Sequence, residues 1–203
     1  LRSMVDVLEV SFEKSTKAKS VNKVLEYLAS FNPEIVSVLD ADNHVDPDYL
    51  ENISQAYSGG FEVIQAHRTA KNKNTSFAIL DSMNEEIGNS IFRRGHRNLG
   101  ISSALIGSGM AFNYLYYKEL TADMEDIAAE DKLLEFRILK DRKTIEYLPE
   151  VYVYDEKVSQ AKNFSKQRTR WVGSQFYFAR KFFVDGLMEL ILKGNFDYFD
   201  KAF

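Results

Sequence analysis

The chain has 203 residues, of which 45% are hydrophobic, 28% charged and 13% aromatic, and its formal net charge is −4. That composition suits one folded domain with a sizeable core and argues against a disordered or fibrous chain. The lack of cysteine excludes a disulfide framework and a thiolate metal site, and the acidic balance argues against general affinity for nucleic acid.

In chain order, the opening Leu1-Arg-Ser-Met-Val-Asp6 lacks the pattern of a signal peptide. No apolar run approaches the roughly 18–20 residues that span a bilayer, so the sequence as given reads as soluble. Val5 to Val10 alternates weakly and predicts a strand. Val21, Val24, Leu25 and Leu28 recur at helical spacing and predict a helix over 17–29. Ile35 to Leu39 is an aliphatic run that predicts a buried strand, ending in Asp40 and Asp42. Pro47 sits well in the first turn of a helix running to Tyr57, which Gly59-Gly60 ends. Glu62 to Ala66 predicts a strand, and Ser76 to Phe92, with Phe77, Leu80, Met83, Ile87 and Ile91, an amphipathic helix. Gly107-Ser-Gly-Met-Ala-Phe112 predicts a glycine turn entering a strand. A helix follows over 131–139, with Leu133, Leu134 and Ile138 on its apolar face. Thr144 to Leu148 and Val151 to Tyr154 predict two strands split by Pro149. The stretch from Asn163 to Leu192 reads as helix, broken near Gly173. Strands alternating with helices argue a mainly parallel sheet covered on both faces.

Four constellations carry chemistry. Side chains two apart on an extended segment point the same way, so Asp40 and Asp42 can face one hard divalent cation at the strand's carboxyl end, where open α/β sheets place ligands. The run Asp40 to Glu51 also imitates a calcium loop, but Val45 stands where that loop needs glycine. Asp46 and Asp48 read instead as capping or first-turn acids beside Pro47. Gly107-Ser108-Gly109 is a tight turn or a place where backbone approaches a sugar or phosphate closely. Glu130-Asp131 is a helix start, or an exposed carboxylate at the sheet's crevice able to act as general base. Gln167-Arg168-Thr169-Arg170-Trp171 sets the only tryptophan beside two arginines, which offer planar donors to a diphosphate. The alternative is an amphipathic helix with one core tryptophan. His44, His67 and His96 lack metal-pair spacing and read as satisfied surface or core residues.

Charge is unevenly spread. Lys157 to Val184 holds seven basic residues and no acid, whereas Glu119 to Glu135 holds seven acids and one lysine. A basic tract in an acidic chain points to a local anion site or to a solvated helix face.

Taken in order, these segments resemble the inverting family-2 glycosyltransferases, especially the branch of cellulose, chitin and hyaluronan synthases. Lys17-Ala-Lys-Ser-Val-Asn22-Lys-Val-Leu25 is similar to the family's K-A-x-A-L-N-x-A-L segment, departing at Ser20 and Val21. Asp40-Ala-Asp42 resembles its D-x-D, Gly107-Ser-Gly109 its glycine turn and Glu130-Asp131 its E-D motif, and Gln167 to Trp171 matches Q-x-x-R-W throughout. The resemblance covers nearly the whole chain and implies an α/β GT-A fold, a Rossmann-like mixed sheet flanked by helices. It implies Mg²⁺ or Mn²⁺ on Asp42 and Asp40, and a nucleoside-diphosphate-sugar donor, a UDP-sugar foremost. Lys17, Asn22, Gln167 and Arg170 would join those aspartates on the donor. Trp171 and Gly107, Ser108 and Gly109 would meet a glycan or lipid-linked acceptor, and Asp131, beside Glu130, would be the base.

The family's opening strand and helix, with a consensus such as P-x-Y-N-E, have no counterpart here. The resemblance therefore implies a catalytic domain over 1–172 that lacks its first strands, followed by an interfacial segment over 173–203. Aromatics interleaved with Arg180, Lys181 and Lys193 suit a lipid headgroup boundary. The expectation is membrane contact through this helix and flanking segments, with the catalytic domain on the cytoplasmic face and no nucleic-acid partner. A sugar nucleotidyltransferase and a non-catalytic glycan- or partner-binding module on the same scaffold are the alternatives.

Overall fold

The computed structural model describes residues 5–124 and 129–202. The first four residues, whose pattern argued against a signal peptide, lie outside that range, as do Glu125 and Asp126 of the acidic run. The sheet has the order β1 (Ile35–Val38), β4 (Met110–Asn113), β3 (Val63–Ala70), β5 (Ile145–Asp155), β2 (His44–Val45). Only β3 and β5 pair in parallel; β1 with β4, β3 with β4 and β2 with β5 are antiparallel. The sheet is mixed, as the resemblance implied, and the mainly parallel expectation from alternating elements fails. The reason is the long excursion through the helical stretch after β3, which brings β4 back between β1 and β3 in the opposite sense.

Successive strand residues serve opposite faces. Val63, Met110, Phe112 and Ile145 join the larger core beneath α1 (Lys17–Leu28), α5 (Tyr114–Thr121), α6 (Glu130–Lys140), α7 (Ala161–Lys193) and α8 (Phe196–Ala202). Ile64, Ala111 and Val153 face the smaller one under Tyr49 and Ile53 of α2 (Tyr49–Ser58). Thr16 caps α1, its side chain accepting from the Lys19 amide, and Thr75 and Asn113 cap α3 (Ser76–Gly88) and α5 in the same way. Asp48 occupies the cap position of α2, but its side chain makes no capping hydrogen bond. The two strands expected around Pro149 are one bulged strand. Its register against β3 jumps between Ala66 and His67, so residues 149–151 pass unpaired. His67 closes that gap, hydrogen-bonding the Pro149 carbonyl through Nδ1 and Glu86 through Nε2, both at 3.0 Å. It is the satisfied histidine the sequence suggested.

Three further expectations need correction. Val5 to Val10 forms no strand: Val5 and Val7 are 62% and 89% exposed, and no neighbour supplies a ladder. The helix α7 runs unbroken through Gly173, where an added Cβ would meet nothing within 4 Å. Finally, α3 is turned inside out. Its buried residues are Ala78, Asp81, Ser82 and Glu85, while Leu80, Met83 and Ile87 are more than half exposed. A π-helical turn (Asn89–Gly95) and the short α4 (His96–Asn98) continue it, with Asn89 and Arg93 inward and Ile91 and Phe92 outward.

Candidate active site

Antiparallel pairing of β1 with β4 decides the geometry. Val38 lies opposite Met110, so the segment leaving β1 at Asp40 runs beside the Gly107–Gly109 turn that enters β4. The Gly109 amide donates to the Val38 carbonyl at 2.9 Å, and Ala66 of β3 donates to Gly109 at 2.8 Å. Gly107 and Gly109 have φ of +78° and +67°, the left-handed region that favours glycine. An added Cβ on Gly109 would lie 2.9 Å from the Val153 side chain. One on Gly107 would lie 3.4 Å from Asp131 Oδ2. The glycines thus let backbone pass directly beneath the Glu130-Asp131 helix start.

Lys17 ties this ring together from the first turn of α1. Its ammonium donates to Asp40 Oδ1 at 2.6 Å and to the Gly107 carbonyl at 2.7 Å, and lies 4.0 Å from Glu130. A small crevice beside it is lined by Val21, Met110, Tyr117, Thr121, Glu130 and Leu134. Burial, then the neighbouring carboxylates of Glu130 and Glu135, push the Asp131 carboxyl up to about 6. A carboxylate so placed is ionised at neutral pH yet far more basic than an ordinary aspartate, as a general base requires. Ala129, just before it, holds φ of +63°, a conformation costing about 1 kcal/mol for a residue with a Cβ.

A polar layer beneath the ring went unseen in the sequence. Gln65, fully buried, donates to the Ser108 and Gly109 carbonyls at 3.0 and 3.3 Å and accepts from the Ile106 amide at 3.1 Å. Asn43 accepts from the Asp40 amide at 3.0 Å and from the Ser108 hydroxyl, and donates to Asp155 at 3.0 Å. Asp155 and Glu85 pair with Lys157, and Arg68 donates to Glu85 at 2.5 Å and to the Ile106 carbonyl at 3.1 Å. Burial opposes the Arg68 charge, but Glu85, Asp155 and Asp40 together raise its pKa. Asn43 adjoins the D-x-D and could have been suspected. Arg68 and Lys157 could not, because the predicted strand stopped at Ala66 and nothing local pairs residues so far apart.

The remaining sequence candidates divide. Asn22 donates to the Thr121 carbonyl at 2.9 Å, which fastens α1 to α5. Asp42 is exposed, its carboxylate 3.5 Å from the Asn43 amide nitrogen. Gln167, Arg170 and Trp171 lie on the first half of α7, where Arg170 is exposed, Trp171 half-buried and Gln167 Oε1 buried without a partner. Among the described residues, no hydrogen bond or ion pair links these three to Asp40, Asp42 or Asp131. Of the basic tract, Lys157 and Arg168 pair with buried acids, Arg168 with Asp81 at 2.5 Å.

Among the described residues no group of three or more carboxylate or imidazole side chains is disposed to hold a metal. Mg²⁺ commonly takes only one or two carboxylates and completes its shell with water and substrate phosphates. The exposed Asp42 oxygens fit that role, and Asp40 fits it once its bond to Lys17 is released.

A five-stranded mixed sheet flanked by helices, with acids at the end of its first strand and a glycine turn under a second acid pair, is the GT-A arrangement of a glycosyltransferase domain. The family model described as glycosyl transferase family group 2 matches residues 35–195, and the chain belongs to that family. No curated protein matches it. No described helix is long and apolar enough to cross a membrane.

Proposed function

We propose that the domain is an inverting glycosyltransferase that moves a hexosyl unit from a nucleoside-diphosphate sugar, a UDP-sugar foremost, to the hydroxyl of a glycan or lipid-linked acceptor. The observation that carries this reading is Asp131, a carboxyl raised to about 6 and set against the Gly107 turn. Ionised, Asp131 takes the proton of the acceptor hydroxyl as its oxygen attacks the anomeric carbon, and the bond to the donor diphosphate breaks on the opposite face. Asp42, with Asp40 behind it, would hold Mg²⁺ or Mn²⁺, which stabilises charge on the departing diphosphate. Lys17 neutralises Asp40 and presents a cation on the donor side, where Asn22 fixes the helix that carries it. Gln167 and Arg170 bind the diphosphate, and Trp171 stacks on the acceptor beside Gly107, Ser108 and Gly109. Gln167 to Trp171 also leans the reading towards the polymerising synthases.

The outer face of α7 supports membrane contact. Phe176, Tyr177, Val184 and Ile191 are each more than half exposed, and Arg180 and Lys181 stand among them. Its inner face is committed elsewhere, with Phe178 and Phe182 stacked near Phe136. We place this helix along a bilayer surface, with the catalytic domain facing the cytoplasm, where nucleotide sugars are found. The test is transfer by the purified protein: metal-dependent release of UDP from a UDP-sugar panel with glycan acceptors, lost in Asp131→Asn. Sugar binding with no metal-dependent donor binding would favour a non-catalytic module instead. Sedimentation with anionic against neutral vesicles tests the membrane contact, which Phe176→Ser with Ile191→Ser should abolish.

A further inference from the structure

The inward face of α3 is polar, and its first inward charge does not turn towards the ring around Asp131. Asp81 is 4% exposed, and its carboxylate accepts from Arg168 Nη2 at 2.5 Å. Burying a charge is costly unless it is paired, and Arg168 is the cation that Asp81 holds. The Arg168 guanidinium carbon then sits 4.9 Å from the Trp171 ring and 5.0 Å from the Phe164 ring. Phe164, Arg168 and Trp171 follow one another at i, i+4 and i+7 on one face of α7. Phe77, one turn before Asp81 on α3, meets Phe164 at 5.6 Å. The first half of α7 thus rests on α3 through two rungs, Phe77 with Phe164 and Asp81 with Arg168, and the second rung also contacts the only tryptophan. Gln167 Oε1 and Arg168 Nε, on consecutive residues of α7, are both buried without a partner. Orphaned polar atoms of that kind are uncommon in finished structure.

We propose that Asp81 and Arg168 are a positioning pair: Asp81 fixes the Arg168 guanidinium over the Trp171 ring, and this stack sets the orientation of the Gln167–Trp171 turn towards substrate. The inference rests on the reading of Trp171 as the acceptor platform. A cation over an indole face is an attractive contact that also restricts the ring, so the platform is oriented before any sugar arrives. A misplacement of about 1 Å by a residue away from the chemistry can cost a hundredfold in rate.

Because Trp171 is the only tryptophan, its emission reports on this contact without any ligand. The experiment compares the full chain with Asp81→Asn, which removes the charge, and Arg168→Lys, which keeps a cation for Asp81 but loses the planar stack. Emission maximum, acrylamide quenching and thermal midpoint are measured on each, together with kcat and KM for a glycan acceptor and the UDP-sugar. Both variants are expected to raise quenching and shift emission. Acceptor kcat/KM should fall ten- to hundredfold, donor KM should change less than threefold, and Arg168→Lys should fall between wild type and Asp81→Asn. Unchanged emission and quenching in both variants would overturn the pairing, as would shifted emission with unchanged acceptor kcat/KM. A drop in thermal midpoint with no change at Trp171 would mark a merely structural ion pair. Absence of transfer by the wild-type protein would sink the functional reading while leaving the emission comparison to judge the pair.

Discussion

The two halves of the proposed site are built in opposite ways. Around Asp131, three sheet strands, two left-handed glycines and a lysine with three oxygen neighbours converge, and beneath them Gln65, Asn43 and Arg68 satisfy the backbone. Around Trp171, one helix rests on α3 through two side-chain rungs, and two polar atoms stay unpaired. The first half is assembled by the sheet before any ligand arrives. The second is a long helix held to α3 by fewer contacts, with Trp171 oriented by the Asp81–Arg168 rung. Proton transfer, which depends on sub-ångström distances, is assigned to the half built on the sheet, and substrate grip to the half held by two rungs.

The largest test of that division is Asp131→Asn. It keeps shape but cannot accept the proton, so kcat should fall about 10²–10⁴-fold with little change in KM. In the wild type, kcat should decline as pH drops through about 6, where Asp131 takes up a proton. Stability should move the other way. A carboxyl whose folded pKa exceeds its unfolded value destabilises the fold once ionised, and that cost grows as pH rises from about 4 to 6. Urea unfolding should therefore find the variant more stable than wild type by about 3 kcal/mol at pH 8 and nearly equal to it below pH 4. A variant that only raises KM would move Asp131 into the gripping half.

Asp42→Asn comes next, removing a hard ligand from an exposed position. Metal-activated turnover should drop at least about tenfold, with the thermal midpoint unchanged because Asp42 supports nothing buried. Turnover that keeps its Mn²⁺ response at the wild-type rate would dismiss the D-x-D assignment. The glycine turn sharpens the half built on the sheet. Gly109→Ala must displace Val153 and adopt a strained backbone, so we expect a loss of about 2–3 kcal/mol in urea unfolding. Gly107→Ala meets only the Asp131 carboxyl, so it should cost about 1 kcal/mol and show mainly as a lowered kcat. Gly173→Ala on α7 is the smallest and opposite effect, a gain of about 0.5–1 kcal/mol, since the new methyl meets nothing and the helix propensity improves. A marked loss there would mean that α7 is tightly packed at Gly173.

Much of this was legible in order but not in depth. Helical spacing placed α1 and α6, and Pro47 with Gly59-Gly60 placed α2, each within a residue or two of its ends, and Ile35 to Leu39 marked β1. The stripe on Phe77, Leu80, Met83 and Ile87 marked α3 as a helix but said nothing of its orientation. Its polar face is drawn inward by Arg68, Lys157 and Arg168, cations contributed by β3, the segment after β5, and α7. Gly173 and Pro149 suggested breaks because each is unfavourable within a regular element. Packing on α6 carries the helix through the first, and a bulge closed by His67 carries the strand through the second. Val5 to Val10 alternated like a strand, but alternation supplies no partner.

The order of elements, the acids ending β1, the glycine turn, the acid pair opening α6 and the Gln167 to Trp171 run were set by the sequence alone. They depend on spacing along the chain and on side-chain chemistry, both local properties. Sheet order, the single parallel pairing, the inversion of α3 and the raised pKa of Asp131 were decided by tertiary structure. Each depends on which charges and backbones lie side by side across a separation of tens of residues, and on how much water the fold leaves between them.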